Sequence, residues 1–212
     1  AKGGRVLHLL RKTIGDEAFF EMLRTYLRAN AFGTAEVDQL RMAAEKVTGQ
    51  DLNWFFDQWF KKAGHPVLEV GSRYVASDEK LYMTIQQKQD TLSGTVSYLP
   101  IKVDVWQKGI KTRHSLVLSK TEQTFEITAK HQPEAVLFDA EGVLVGTINE
   151  QKSTREWVQQ YKVAEHFSHK YEALTKLEGK LAVSTIRNTV YAAMDDPFWR
   201  IRQMAISNFA EY

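Results

Sequence analysis

The hydrophobic period of the chain changes twice, and those two changes limit its fold more than any other feature. Up to residue 63 apolar side chains recur three and four positions apart, the spacing of one helix face. Gly64-His65-Pro66 breaks that period. From Val67 to Ile148 the pattern is alternation with many β-branched residues, which fits strands half-buried against a core. Helical spacing returns at Ser153 and runs to the end. A multi-domain α+β protein follows, in three successive pieces: helical over 1–65, β-rich over 66–150, helical over 151–212.

The first piece reads as four short helices. Val6, Leu9, Leu10 and Ile14 share a face that stops at Gly15. Asp16 is placed to cap a second helix, with Phe19, Phe20, Leu23 and Leu27 inward. Thr34 opens a third with Val37, Leu40, Ala44 and Val47 on one side and Gly49 as terminator. Asp51 caps a fourth, which carries Leu52, Phe55, Phe56, Trp59 and Phe60. So much aromatic area in so short a stretch requires a core larger than four helices supply, which argues against a free-standing β-sandwich binding module flanked by helices, where residues 1–65 would fold alone.

In the middle piece the expected strands are Val67–Val75, Lys80–Gln87, Leu99–Trp106, Thr112–Leu118, Gln123–Ile127, Ala135–Phe138 and Val143–Ile148. Turn chemistry separates them at Ala76–Glu79, Lys108-Gly109 and Asp139–Gly142, and Asp90–Gly94 reads as a polar loop tip. Short antiparallel strands at this density predict a small β-sandwich. In the last piece Trp157, Tyr161, Ala164 and Phe167 form one stripe, and Tyr171, Leu174 and Leu177 another. Asp195-Asp196-Pro197 ends one helix and starts the next, with Arg202 and Ala205 on it, the pattern of a HEAT-like helical repeat unit. Arrays of such units generally need about three to be stable, so the chain is expected to be cut short here. It is also expected to be excised at its start, where Ala1 leads almost directly into helix.

Composition excludes several function classes. The formal net charge of +2 comes from interspersed acids and bases, without the basic face that nucleic acid needs. The chain contains no cysteine, so disulfides and thiolate metal sites are absent. No apolar run approaches the ~20 residues of a membrane span. Of six histidines only His166 and His169 are close, three apart on an expected helix, with Glu165 and Glu172 nearby. Such spacing can put two imidazoles on one metal, but no general-base Glu lies between them, and a solvated helix end explains them better. Asp16-Glu17, Asp78-Glu79 and Asp195-Asp196 sit at turns or helix starts, where carboxylates suit the helix dipole. The residues themselves supply neither a catalytic nor a metal site.

Read in order, Lys2-Gly3, Val6-Leu7, Gly15-Asp16-Glu17, Phe19-Phe20, Leu23, Tyr26-Leu27, Asp38, Gly49, Asp51-Leu52, Phe56, Trp59, Gly64 and Pro66-Val67-Leu68 carry a family likeness. They resemble the end of the thermolysin-like catalytic domain in zinc-dependent aminopeptidases of the aminopeptidase N and leukotriene-hydrolase family. The resemblance is strong over residues 2–70; beyond, Pro100-Ile101, Pro133, Asp139-Ala140-Glu141-Gly142 and the terminal helices fit it by architecture. It implies a small β-sandwich next, then the start of a HEAT-like superhelical array. It implies also that the parent protein removes N-terminal residues from peptide substrates with a bound zinc.

The family's zinc ligands lie on an HExxH helix and a later Glu, and a GxMEN segment holds the substrate's amino group; this chain has none of them. An oxyanion-stabilising tyrosine precedes the family's Lys-Gly pair by two residues, so here Lys2 and Gly3 only flank its missing position. The fragment is therefore expected to hold no zinc or other cofactor, and to be inactive alone. The alternative is a non-catalytic interaction scaffold of the same family. Cut edges are expected to drive self-association, through Val6, Leu7 and Leu10 at one end and Ile201, Met204 and Phe209 at the other.

Overall fold

The computed structural model describes residues 2–89 and 96–210. The expected loop tip at Asp90–Gly94 lies outside the described residues. Helices α1 (Lys2–Ile14), α2 (Asp16–Ala29), α3 (Val37–Thr48) and α4 (Asn53–Phe56) open the chain, α4 running on as a π-helical turn over Asp57–Lys61. Among the described residues seven strands follow: β1 (Val67–Val75), β2 (Lys80–Gln87), β3 (Leu99–Gln107), β4 (Ile110–Leu118), β5 (Glu122–Thr128), β6 (Ala135–Leu137) and β7 (Thr147–Gln151). The chain closes with α5 (Thr154–Val163), α6 (Phe167–Leu177), α7 (Ser184–Ala193) and α8 (Trp199–Ala210).

The strands form two small sheets, one ordered β5-β2-β1-β7 and the other β4-β3-β6. Alternation puts Leu81, Met83 and Ile85 of β2 inward, and Ile101, Val103 and Val105 of β3 likewise. The β3–β4 hairpin closes on Lys108-Gly109, both at positive φ (51° and 75°), with Gln107 facing Ile110. Glycine supplies that conformation without a Cβ penalty.

One apolar core runs through the first two pieces. Leu10, Met22, Ala44, Phe55 and Phe56 of the helices join Leu68, Ile85, Val103 and Phe138 of the sheets in a single cluster. Of the aromatic stripe on α4 and its π-helical turn, Phe55, Phe56 and Trp59 are buried as expected, and the half-buried Phe60 stacks on Phe56 at 5.1 Å. Trp54 meets Tyr98 edge-on at 4.8 Å, and the Gln58 amide both donates to the Tyr98 carbonyl (3.2 Å) and accepts its backbone N–H (2.8 Å). The last four helices hold a separate core around Trp157, Leu174, Leu177, Ile186, Val190 and Ile201. Asp196 anchors it: it accepts from Lys170 Nζ (2.6 Å) and the Phe198 N–H (2.9 Å), and Arg202 donates to the carbonyls of Asp196 and Pro197.

Several local expectations are corrected. The strand expected at Val143–Ile148 begins only at Thr147, because Val143 and Leu144 give their amides to the Asp139 side chain instead of a ladder. The sheets are not wholly antiparallel either: β7 pairs parallel to β1, from Val67↔Thr147 to Gly71↔Gln151. Asp16 is the first residue of α2 and not its cap; its carboxylate takes two hydrogen bonds from the Arg11 guanidinium. Nor does Thr34 open α3, where the N-cap is Glu36 with Gln39 reaching back to its N–H. The edge residues are also redistributed. Val6, Leu10 and Ile201 are buried within the chain's own cores, while Phe20, Leu27, Phe32 and Met42 on one side and Phe198, Trp199 and Ile206 on the other are exposed.

Candidate functional site

The most concentrated chemistry lies where all three pieces meet, around the segment joining β6 to β7. This strap, residues 138–146, leaves the sheet with Asp139 and Gly142 both at positive φ (47° and 61°). Asp139 then folds its carboxylate back onto the strap, accepting the Val143 N–H at 3.1 Å and the Leu144 N–H at 2.9 Å. From α1, Arg5 donates to the carbonyls of Gly142 (3.4 Å) and Leu144 (3.1 Å). Glu141 faces the other way, toward Arg113 of β4 (3.3 Å) and Lys12 of α1 (3.8 Å). Arg113 is itself held by two bonds to the buried Asp104 (2.7 and 2.8 Å).

Two glycines permit this packing. A Cβ on Gly142 would sit 2.8 Å from Ser168 Oγ of α6, and one on Gly146 would sit 2.6 Å from the Pro66 carbonyl oxygen. The strap is thus pressed against the C-terminal helices at one point and against the linker before β1 at the other.

Beneath it lies a cavity of about 230 Å³, lined among others by Arg5, Asp139, Glu150, His169 and Glu172. Glu150 and Lys152 form an ion pair at 2.6 Å with both side chains 5% exposed. Lys152 also donates to Gln160 of α5 (2.6 Å) and lies 5.0 Å from the Trp157 ring centroid. Gln160 passes the connection to α6, donating to the His169 carbonyl (3.1 Å) and to Glu172 (3.4 Å).

Burial is the leading cause of each shift here. It pushes the Glu150 carboxyl up to about 7, with Lys152 pulling back and the Glu172 and Asp139 charges adding to the rise. Asp139 rises to about 6, held back by its two backbone N–H donors and by Arg5. His169 falls to about 4 through burial, helped by His166 and Lys152. Its Nδ1 is buried with no hydrogen-bond partner.

The sequence-derived candidates lie elsewhere or apart. Lys2 opens α1 and donates to the Gly64 carbonyl at 3.0 Å, while Gly3 has open space at its Cβ position. His166 is exposed, but His169 is buried, so the expectation of a solvated helix end holds for only one of the pair. Their ring centroids are 6.1 Å apart. Among the described residues no three His, Asp or Glu side chains converge as metal ligands. Sequence reading missed the cluster under the strap. Its one signal was Glu150 and Lys152 continuing the register of Ile148, charges on a strand face that begins apolar.

Residues 1–59 match the peptidase family M1 domain. An aminopeptidase N of Lactococcus lactis is 35% identical over 70 residues, 33% of this chain and 8% of that protein. A mitochondrial aminopeptidase 2 of Saccharomyces cerevisiae is 26% identical over 132 residues, 60% of this chain and 13% of that protein. The chain therefore spans only about a tenth of these relatives' length. A crystal structure of Legionella pneumophila aminopeptidase A in complex with aspartic acid superposes with a TM-score of 0.76 over 92% of this chain and 24% of that one, at 16% identity. The resemblance read from the sequence is borne out: the chain is similar to the peptidase family M1 domain and to aminopeptidases N in its first helices, and to a solved aminopeptidase in fold across most of its length.

Proposed function

We propose that the chain is a C-terminal portion of a zinc aminopeptidase that removes N-terminal residues from peptides. On this reading residues 1–65 complete a thermolysin-like peptidase domain, 66–150 form its β-sandwich, and 151–212 begin a HEAT-like helical array. The observation that carries the reading is the family match over residues 1–59, running straight into the two-sheet unit that shares its core. Zinc does not fit the residues present here: His166 and His169 face different surroundings, and no third ligand joins them among the described residues. The metal, its water and the oxyanion donor then belong to other parts of the parent.

What these residues do is mechanical. Lys2 ties the first turn of α1 to Gly64, and the α4 aromatics seat the helices on the sheets. The purified chain is expected to carry no stoichiometric zinc and to hydrolyse no aminoacyl reporter. Metal analysis finding about one tightly held zinc per chain, or turnover of the reporter, would refute the proposal.

A further inference from the structure

We propose that the strap 138–146 and the buried charges beneath it form a proton-operated joint between the two-sheet unit and the C-terminal helices. The geometry leaves the strap little slack, since it is pinned at Gly142 against Ser168 and at Gly146 against Pro66. Asp139 holds it from inside and Arg5 from α1. Three carboxylates from two sides of the joint surround one small cavity: Asp139 of the strap and Glu150 of β7, with Glu172 of α6 opposite. The other charged groups acting on them are Arg5 of α1, Lys152 after β7, His166 and His169 at the start of α6, and, from the strap's far side, Glu141. The joint is independent of whether the parent is an active peptidase.

Its sign follows from linkage. Glu150 titrates near 7 in the closed joint and at its ordinary 4.5 when released. The closed form therefore binds more protons between those values, and its advantage is lost as pH rises through about 7. At pH ~5.5 that favours closure by about thirtyfold relative to pH ~8. Asp139, near 6 when closed and 3.8 when released, adds about fourfold in the same direction. His169 opposes both, because its lowered value near 4 makes the closed form bind fewer protons below its ordinary 6.5, a loss of about tenfold at pH ~5.5. The net is closure favoured about tenfold at pH ~5.5 over pH ~8.

Amide hydrogen exchange on the whole chain tests this at Val143 and Leu144, whose N–H groups the Asp139 carboxylate holds. After correction for intrinsic rates, protection of these two amides is expected to be about tenfold greater at pH ~5.5 than at pH ~8. Glu150→Gln removes the largest contribution and leaves Asp139 (about fourfold) against His169 (about tenfold), so the trend should reverse by about two- to threefold. Should that variant fail to fold, Glu172→Gln replaces it, and a reduced pH effect is expected because the Glu172 charge helps to raise Glu150. Dye labels at Thr124→Cys and Asn188→Cys, both exposed in a chain otherwise free of cysteine, should report a narrower separation between sheet and helices at the lower pH. Equal protection at the two pH values, or an unaltered trend in whichever carboxylate variant folds, would overturn the proposal.

Discussion

Two glycine-to-alanine substitutions in this chain should have opposite signs, although both add one methyl group. At Gly146 the new Cβ would stand 2.6 Å from the Pro66 carbonyl oxygen and 3.4 Å from its carbon, and that neighbour is backbone. The same carbonyl accepts the Thr147 N–H at 2.9 Å, immediately before the parallel β1–β7 ladder. Relieving the clash means moving the linker or the strand, at a cost of about 1–3 kcal/mol for overpacking. Weakening the hydrogen bond adds about 1 kcal/mol. Gly4 lies within α1 with nothing within 4 Å of its Cβ position. Alanine there should stabilise by about 0.5–1 kcal/mol, through helix propensity and a less flexible unfolded chain.

Thermal unfolding followed by circular dichroism, with denaturant titration for the free energies, reads both. For a chain of this size about 1 kcal/mol moves Tm by roughly 2–4 °C. Gly146→Ala should therefore melt about 4–16 °C lower and Gly4→Ala about 1–4 °C higher. Shifts of the same sign would mean that the close approach at Pro66 is not real, or that α1 does not persist to its first turn.

Trp59 is 7% exposed within the α4 aromatic group, so Trp59→Ala should cost on the order of 3–5 kcal/mol. The corresponding change at the exposed His166 should be nearly silent in the same melting assay. Phe20, Leu27 and Phe32 on one side and Phe198 and Trp199 on the other leave apolar area in water, each Å² worth roughly 25 cal/mol on burial. Concentration-dependent self-association should follow, and sedimentation showing only monomer at high concentration would remove that expectation.

Much of the chain's secondary structure is legible in its hydrophobic spacing. The period change at Gly64-His65-Pro66 and its return at Ser153 mark where helices give way to strands and back, because 3.6-residue and two-residue spacings cannot bury the same side chains. The stripe Phe55, Phe56, Trp59 and Phe60 announced a core before its partner was known. The likeness carried by Lys2-Gly3 through Leu68 points to the same family as the domain match over residues 1–59, because its motifs are local in sequence.

Tertiary structure alone decided the rest. Val143 and Leu144 read as strand, and only the Asp139 carboxylate turning back to take their amides makes them a strap. β7 pairs parallel to β1 although nothing in its own residues distinguishes a parallel partner from an antiparallel one. In sequence His169 reads with His166 as a solvated helix end because no general-base Glu lies between them, but the strap that packs on it comes from some thirty residues earlier. The cluster of Arg5, Asp139, Glu150, Lys152, Gln160 and Glu172 is drawn from α1, the strap, the end of β7, α5 and α6. Local spacing records which side of an element faces inward; which charges meet once several inward faces converge depends on how those elements pack.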